Sequence, residues 1–253
     1  MPARGLTFGQ PLSPLTRAEL VQALLASAPA GEGAQLLVTM NLDHVVRLQR
    51  DAAFRAAYAR AFAVTADGAP VFAWARLRGA APPERAVGSD LLEGLMQAWA
   101  PGRHRPFFVV SRPETGAKLA ALLAARGFAP ADVGWASPPF GFEHEPAAGD
   151  ALAAAVRGHR ATHLIMGVGA PKSEIWVDRR RGELGDLWAC GFGSAADFVA
   201  GQARRAPEAW RRAGLEWLWR LAAEPRRLAR RYLWDSWAVV PALARDVAGR
   251  PRA

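Results

Sequence analysis

The chain has 253 residues, 51% hydrophobic and 22% charged, with ten tryptophans, one cysteine (Cys190) and a formal net charge of +9. That length suits one large α/β domain or a core with an appendage, and the apolar content is enough to bury a sizeable core. A single cysteine excludes an internal disulfide framework and a cysteine-rich zinc site, while the composition excludes a disordered chain.

The charge is uneven. Residues 201–253 carry 12 Arg against 5 acidic residues, so most of the excess basicity sits at the C-terminal end. The opening MPARGLTFGQPLSPL lacks the apolar stretch of a secretory signal. No run of about eighteen residues is apolar enough to span a bilayer. The sequence is therefore expected to be that of a cytoplasmic protein.

The first predicted strand, Gln35–Thr39, runs through Thr39-Met40-Asn41-Leu42-Asp43 into a helix expected over His44–Arg60. Thr39 and Asn41 stand at its carboxyl end, where a hydroxyl and an amide can bind ligand hydroxyls. Asn41 equally suits the N-cap of the helix. A second strand, Ala63–Ala66, ends in Asp67-Gly68-Ala69-Pro70. An acid there can take a proton from an attacking hydroxyl, a service worth roughly 10²–10⁴-fold in rate. Asp before Gly is also ordinary turn and cap chemistry.

Next comes Pro83-Glu84-Arg85-Ala86-Val87-Gly88-Ser89-Asp90, with Arg85 just ahead of a helix over Asp90–Ala100. A guanidinium holds phosphate or carboxylate bidentately, and the N–H groups of a helix start add to that. A surface ion pair is the alternative use of Arg85. Strands over Pro106–Ser111 and Asp132–Trp135 enclose a helix over Glu114–Arg126, and a helix over Gly149–Arg157 leads to the strand His163–Gly167. There Gly167-Val168-Gly169-Ala170-Pro171-Lys172-Ser173-Glu174 enters a helix over Pro171–Arg181. Two glycines admit a ligand close to the backbone, Pro171 fits a first helical position, and Lys172 adds charge, which makes a phosphate-compatible turn. The run is neither GxxxxGK[ST] nor GxGxxG, so it supports neither a P-loop nor a dinucleotide fingerprint. Leu187–Gly191 is the last predicted strand.

This alternation predicts an α/β fold: a Rossmann-like core with a mainly parallel sheet flanked by helices, over residues 1–203, binding ligands beyond the carboxyl ends of the strands. Residues 204–253 read as a helical, basic, Trp-rich appendage, with helices over Pro207–Ala222 and Pro225–Asp246. Trp210, Trp217, Trp219, Trp234 and Trp237 fall among its arginines. Trp and Arg together suit a membrane interface; docking on the core would use the same rings. Exposed tryptophans on an undocked tail favour self-association into a homo-oligomer.

Other chemistries find little support. The five histidines (His44, His104, His144, His159 and His163) have no metal-ligand spacing and read as structural or exposed, and no Asp-x-Asp pair occurs. Neither a metal nor a cofactor is expected. A nicotinamide-dependent Rossmann protein needs a glycine-rich first turn, which the first strand lacks. A nucleic-acid-binding protein would account for the basic tail but not for polar residues at successive strand ends.

Taken in order, VTMNLDHV, TADGAPV, PERAVGSDLL, GVGAPKSEIW, GFGSAADFVAG and RRAPEAWRRAGLEWLWRLAAEPRRLARRYL resemble the WecG/TagA/CpsF glycosyltransferase family, glycosyltransferase family 26, from about Leu36 to Leu233. The resemblance implies inverting transfer of a hexose or N-acetylhexosamine-type sugar from a UDP-sugar to an undecaprenyl-diphosphate-linked saccharide, without a metal, at the inner face of the cytoplasmic membrane. It implies Asp67 as general base, Thr39, Asn41 and Arg85 as pocket residues, and Asp197 near the nucleotide. It further implies that Arg220, Arg227 and Arg230 meet the diphosphate; the turn of Gly167, Gly169 and Lys172 is expected to face the diphosphate too, with Ser173 and Glu174 beside it as substrate-binding residues. Ser173 stands where the family usually has Gln, which bears on the donor sugar. Pro138–Glu143 resembles a loop near the nucleotide, where Phe142 or Phe140 would stack on uracil.

Overall fold

The computed structural model describes residues 5–80, 82–203, 206–207, 210, 216–223, 237 and 239–248. A short antiparallel hairpin, β1 (Leu6–Thr7) and β2 (Gln10–Pro11), precedes α1 (Arg17–Leu25). Helix α1 starts at a reciprocal capping box, in which Thr16 accepts from the Glu19 N–H and Glu19 accepts from the Thr16 N–H. There follow β3 (Gln35–Met40), α2 (Leu42–Arg50), α3 (Ala52–Ala59), β4 (Ala63–Ala66), α4 (Ala69–Leu77), α5 (Gly88–Ala98), β5 (Pro106–Val109), α6 (Pro113–Ala124), β6 (Gly134–Ala136), α7 (Pro146–His159), β7 (His163–Met166), α8 (Lys172–Leu184), β8 (Trp188–Gly191) and α9 (Ala195–Val199). In the tail, α10 covers Glu216–Ala223 and α11 covers Val239–Val247.

Strands β3 to β8 form one parallel six-stranded sheet in the order β4-β3-β8-β7-β5-β6. All six predicted strands are present, within a residue or two. Successive residues of a strand point to opposite faces, so β3 sends Leu36, Val38 and Met40 into one hydrophobic cluster and Leu37 into the other. The first cluster is closed by α2, α3, α4, α7 and α8, and the second by α1, α5, α6 and α9. This is the Rossmann-like α/β architecture that the alternating pattern predicts. The helix expected over His44–Arg60 is two helices instead. Asp51 breaks it, ending α2 and capping α3 by accepting from the Phe54 N–H.

The tail is not wholly separate. Val239 and Ala242 of α11 are buried, the latter within the first cluster, and Asp246 accepts from the Trp74 indole at 2.8 Å and pairs with Arg78. Arg245 donates to Gln49 at 2.7 Å. Helix α11 thus docks on α2 and α4, the helices that follow β3 and β4. No described helix is long and apolar enough to cross a membrane.

At the amino end of the sheet, His163 and His104 present ring nitrogens to the Leu24 and Leu25 carbonyls and Trp188 donates to the Ala26 carbonyl, serving the end of α1 that lacks intrahelical partners. These two histidines are structural, as the sequence predicts. Burial pushes His163 down to about 4, against a favourable bond to Leu24. Below its ordinary pKa the unfolded chain takes a proton that the folded chain refuses. Stability present above about pH 6.5 is therefore lost toward pH 4, by about 3 kcal/mol in total. Thermal unfolding at pH 7 and pH 5 should show a smaller loss on acidification in His163→Gln than in the native chain.

Candidate active site

The carboxyl ends of the strands form a row of loops, and register sets their order. Thr39 pairs with Thr65 and Met40 with Ala66, and the Asp67 N–H bonds the Met40 carbonyl at 2.9 Å. Asn41 and Asp67 are thereby the next residues on two adjacent strands, side by side. A Cβ on Gly68 would lie 3.7 Å from the Asn41 Cβ, so these two loops touch. Asp67 is half-buried. The cap position of α4 is taken by Gly68, the residue after Asp67. Asn41 is a cap: its Oδ1 accepts from the His44 N–H at 3.2 Å. The cap uses the amide oxygen of Asn41 and not its NH2 donors, a group suited to the lone pairs of a hydroxyl or phosphate oxygen.

Thr39 is buried, and its hydroxyl donates to the Gly191 carbonyl at 3.4 Å, tying β3 to β8. Arg85 is half-buried in a segment held at both ends. The Thr65 hydroxyl donates to the Ala86 carbonyl at 3.0 Å, and a Cβ on Gly88 would meet the Phe192 ring at 3.2 Å. That packing brings the start of α5 against the loop after β8.

The second half of the row lies at β7 and β5. The helix after β5, α6, covers one face of the sheet, whereas the helix after β7, α8, covers the other. Because these strands are neighbours, a crevice opens between their carboxyl ends, the usual ligand position of an open parallel sheet. Gly167 sits at its floor: a Cβ there would come within 3.0 Å of the Val109 carbonyl and 3.1 Å of the Ala196 Cβ. Gly169, at φ +84°, has open space where a side chain would be. Gly193, at φ +52°, approaches it from the β8 loop, giving a glycine-lined gap open to a ligand. Pro171 precedes α8 rather than opening it, and its peptide bond to Ala170 is cis.

Asp197, half-buried on α9, accepts from Thr115 at 2.7 Å and pairs with Arg112 at 3.1 Å. Both partners lie at the start of α6, across the crevice. Arg112 went unmarked in the sequence because a lone Arg before Pro is no motif; the sheet order alone puts it here. Lys172 carries its ammonium 5.3 Å from the Phe140 ring centre, and Phe140 is 95% exposed in the loop after β6.

Three of the predicted site residues are buried. Phe142 is 2% exposed and packs its ring on Trp176 in the core, so it has no face to offer a base; Phe140 is the exposed aromatic of that loop. Ser173 is 1% exposed and its hydroxyl turns back to the Gly169 carbonyl at 3.1 Å, four residues earlier in the turn that leads into α8. Glu174 is buried beneath the sheet end rather than lining the turn. Helical periodicity explains both shifts, since residues after Lys172 rotate from the mouth toward α3 and the sheet. Of the tail arginines, Arg220 belongs to α10, and Arg227 and Arg230 lie outside the described residues. Among the described residues no three His, Cys, Asp or Glu are grouped to hold a metal ion.

Comparison with known families agrees with this geometry. Residues 6–253 match the family described as Glycosyl transferase WecG/TagA/CpsF family, a span wider than the motifs alone covered. A match over nearly the whole chain, on an α/β sheet whose polar residues gather at the strand ends, places this chain in the WecG/TagA/CpsF family of glycosyltransferases, enzymes of cell-surface polysaccharide synthesis.

Proposed function

We propose that the chain transfers a hexose or N-acetylhexosamine-type sugar from a UDP-sugar to an undecaprenyl-diphosphate-linked saccharide, with inversion and without a metal ion. The reading is carried by one observation: Asn41 and Asp67 stand together at one end of a row of loops whose other end is a glycine-lined crevice. A two-substrate reaction needs such a division. The donor's diphosphate lies toward Gly167 and Gly169, with Asp197 accepting from ribose hydroxyls and Phe140 offering a face to uracil. The acceptor hydroxyl lies beside Asp67. As its oxygen bonds the anomeric carbon, the carbon–phosphate oxygen bond breaks, UDP leaves, and the hydroxyl proton passes to Asp67. Arg85 and the arginines of the tail meet the charge on the leaving diphosphate, a role in which fixed cations serve as well as a metal.

Residues 204–253 act in this reading as a membrane-associating appendage at the inner face of the cytoplasmic membrane. Trp237, Val240 and Val247 are exposed at 76%, 56% and 55%, leaving apolar surface on and beside a helix whose other side is docked. Association of copies through this surface is expected off the membrane.

A panel of UDP-sugars with a lipid-diphosphate acceptor tests the proposal, alongside binding of UDP, NAD and duplex DNA at physiological salt. Transfer from at least one UDP-sugar is expected, with binding of UDP alone among the three probes. Binding of NAD or DNA without UDP would point to the other two classes.

A further inference from the structure

Beneath the ends of β3 and β8, on the face covered by α8, lies a buried polar group that the proposed reaction does not use. Glu174, in the first turn of α8, is 2% exposed. Its Oε1 lies 3.0 Å from the place a Cβ on Gly191 would take, so the carboxyl fills the room of that missing side chain. The carbonyl of the same Gly191 is the acceptor for Thr39. The second oxygen, Oε2, is buried with no hydrogen-bond partner. From α3, which packs on α8, comes Tyr58, also 2% exposed, whose hydroxyl lies 2.6 Å from the Nδ1 of His44. His44 in turn is the residue whose N–H is capped by Asn41.

Burial, and after it the carboxylates of Glu174, Asp67 and Asp43, push the Tyr58 hydroxyl well above its ordinary pKa. The phenol therefore keeps its proton. Donating it to His44 Nδ1 satisfies the phenol, whereas receiving a bond from Nδ1–H would leave a buried O–H with no acceptor.

We propose that Glu174 is a positioning residue for the Asn41–Asp67 half of the cleft: its carboxyl, wedged under Gly191 and beside the Tyr58–His44 pair, holds the strand end of Thr39 and the helix start of Asn41 in place. This deepens the transferase reading and rests on it for its catalytic consequence. Burial raises Glu174 to about 7, opposed by its own backbone N–H and by Arg47, and reinforced by Asp43. The charged and titratable groups facing it are Tyr58 from α3, and Asp43, His44 and Arg47 from α2. On β8, Cys190 points to the opposite face, and the Asp150–Arg180 pair joins α7 to a later turn of α8. Since the folded pKa is raised, the wedge is neutral and well housed at low pH. As pH rises through about 7 a buried charge forms near Asp43, with its Oε2 unpartnered, and the packing under Gly191 loosens.

The test compares the native chain with Glu174→Gln and Glu174→Ala at pH 6 and pH 8. It reads hydrogen exchange of residues 38–46, corrected for intrinsic rates, together with kcat and donor KM. From pH 6 to pH 8 the native chain should exchange faster over that segment and lose about tenfold in kcat, a misplacement effect that leaves donor KM nearly unchanged. Gln, which mimics the neutral acid in shape, should flatten both pH dependences and stay within about threefold of native kcat at pH 6. Ala should be loose and slow at both pH values. A Gln variant that keeps the native pH dependence of exchange, or an Ala variant indistinguishable from native, overturns the proposal. Should the native chain transfer no sugar at any pH, the transferase reading falls, and hydrogen exchange still decides the placement of Glu174.

Discussion

Asp67→Asn should lower kcat for sugar transfer by roughly 10²–10⁴-fold, the usual contribution of a positioned general base, while leaving UDP affinity within about twofold. The asymmetry follows from position. Asp67 stands at the end of β4, separated by β3 and β8 from the glycine gap at β7. The amide keeps the carboxylate's shape, and the cap position of α4 is Gly68 rather than Asp67, so the melting temperature should change little. Turnover and UDP titration on the same preparation decide it. Equal turnover by both proteins would remove Asp67 from the base role.

The second large effect belongs to the tail. Changing Arg220, Arg227 and Arg230 singly to Ala should each cost on the order of 3 kcal/mol in the transition state, about a hundredfold in kcat, because charge grows on the leaving diphosphate only as the bond breaks. Donor KM should move less than kcat, and the variants should still bind vesicles. Substitution is a cleaner test than cutting the chain at residue 203, since truncation also removes α11 with Ala242 from the core and Asp246 from Trp74 and Arg78. Assay with a lipid-diphosphate acceptor in vesicles, against detergent micelles, reads both the chemistry and the role of the membrane. Full transfer by all three variants would leave the diphosphate to Arg85 and the core.

How far each residue was legible depended on how local its signal is. Asn41 reads as either a cap or a pocket residue, and it is the cap by its oxygen; the two uses are compatible because an amide has two ends. Asp67 reads the same way, yet Gly68 takes the cap position, which one residue of helix phase decides. Ser173 and Glu174 follow Lys172 directly and look like one motif. A helix turns about 100° per residue, so Lys172 reaches Phe140 while Ser173 and Glu174 point inward. Phe142 and Phe140 are two residues apart in a loop, and only packing against Trp176 tells which is core.

The sequence by itself determined the six strands, their parallel α/β arrangement, the family, and the set of strand ends where polar residues would gather, because hydrophobic period and turn chemistry are local. Only the tertiary structure decided which ends are neighbours. The order β4-β3-β8-β7-β5-β6 joins Asn41 to Asp67, sets Arg112 and Asp197 across one crevice, brings α11 onto α2 and α4, and hides Glu174 under Gly191. Such adjacencies arise between residues far apart in the chain, where burial and register, rather than neighbouring residues, settle what touches what.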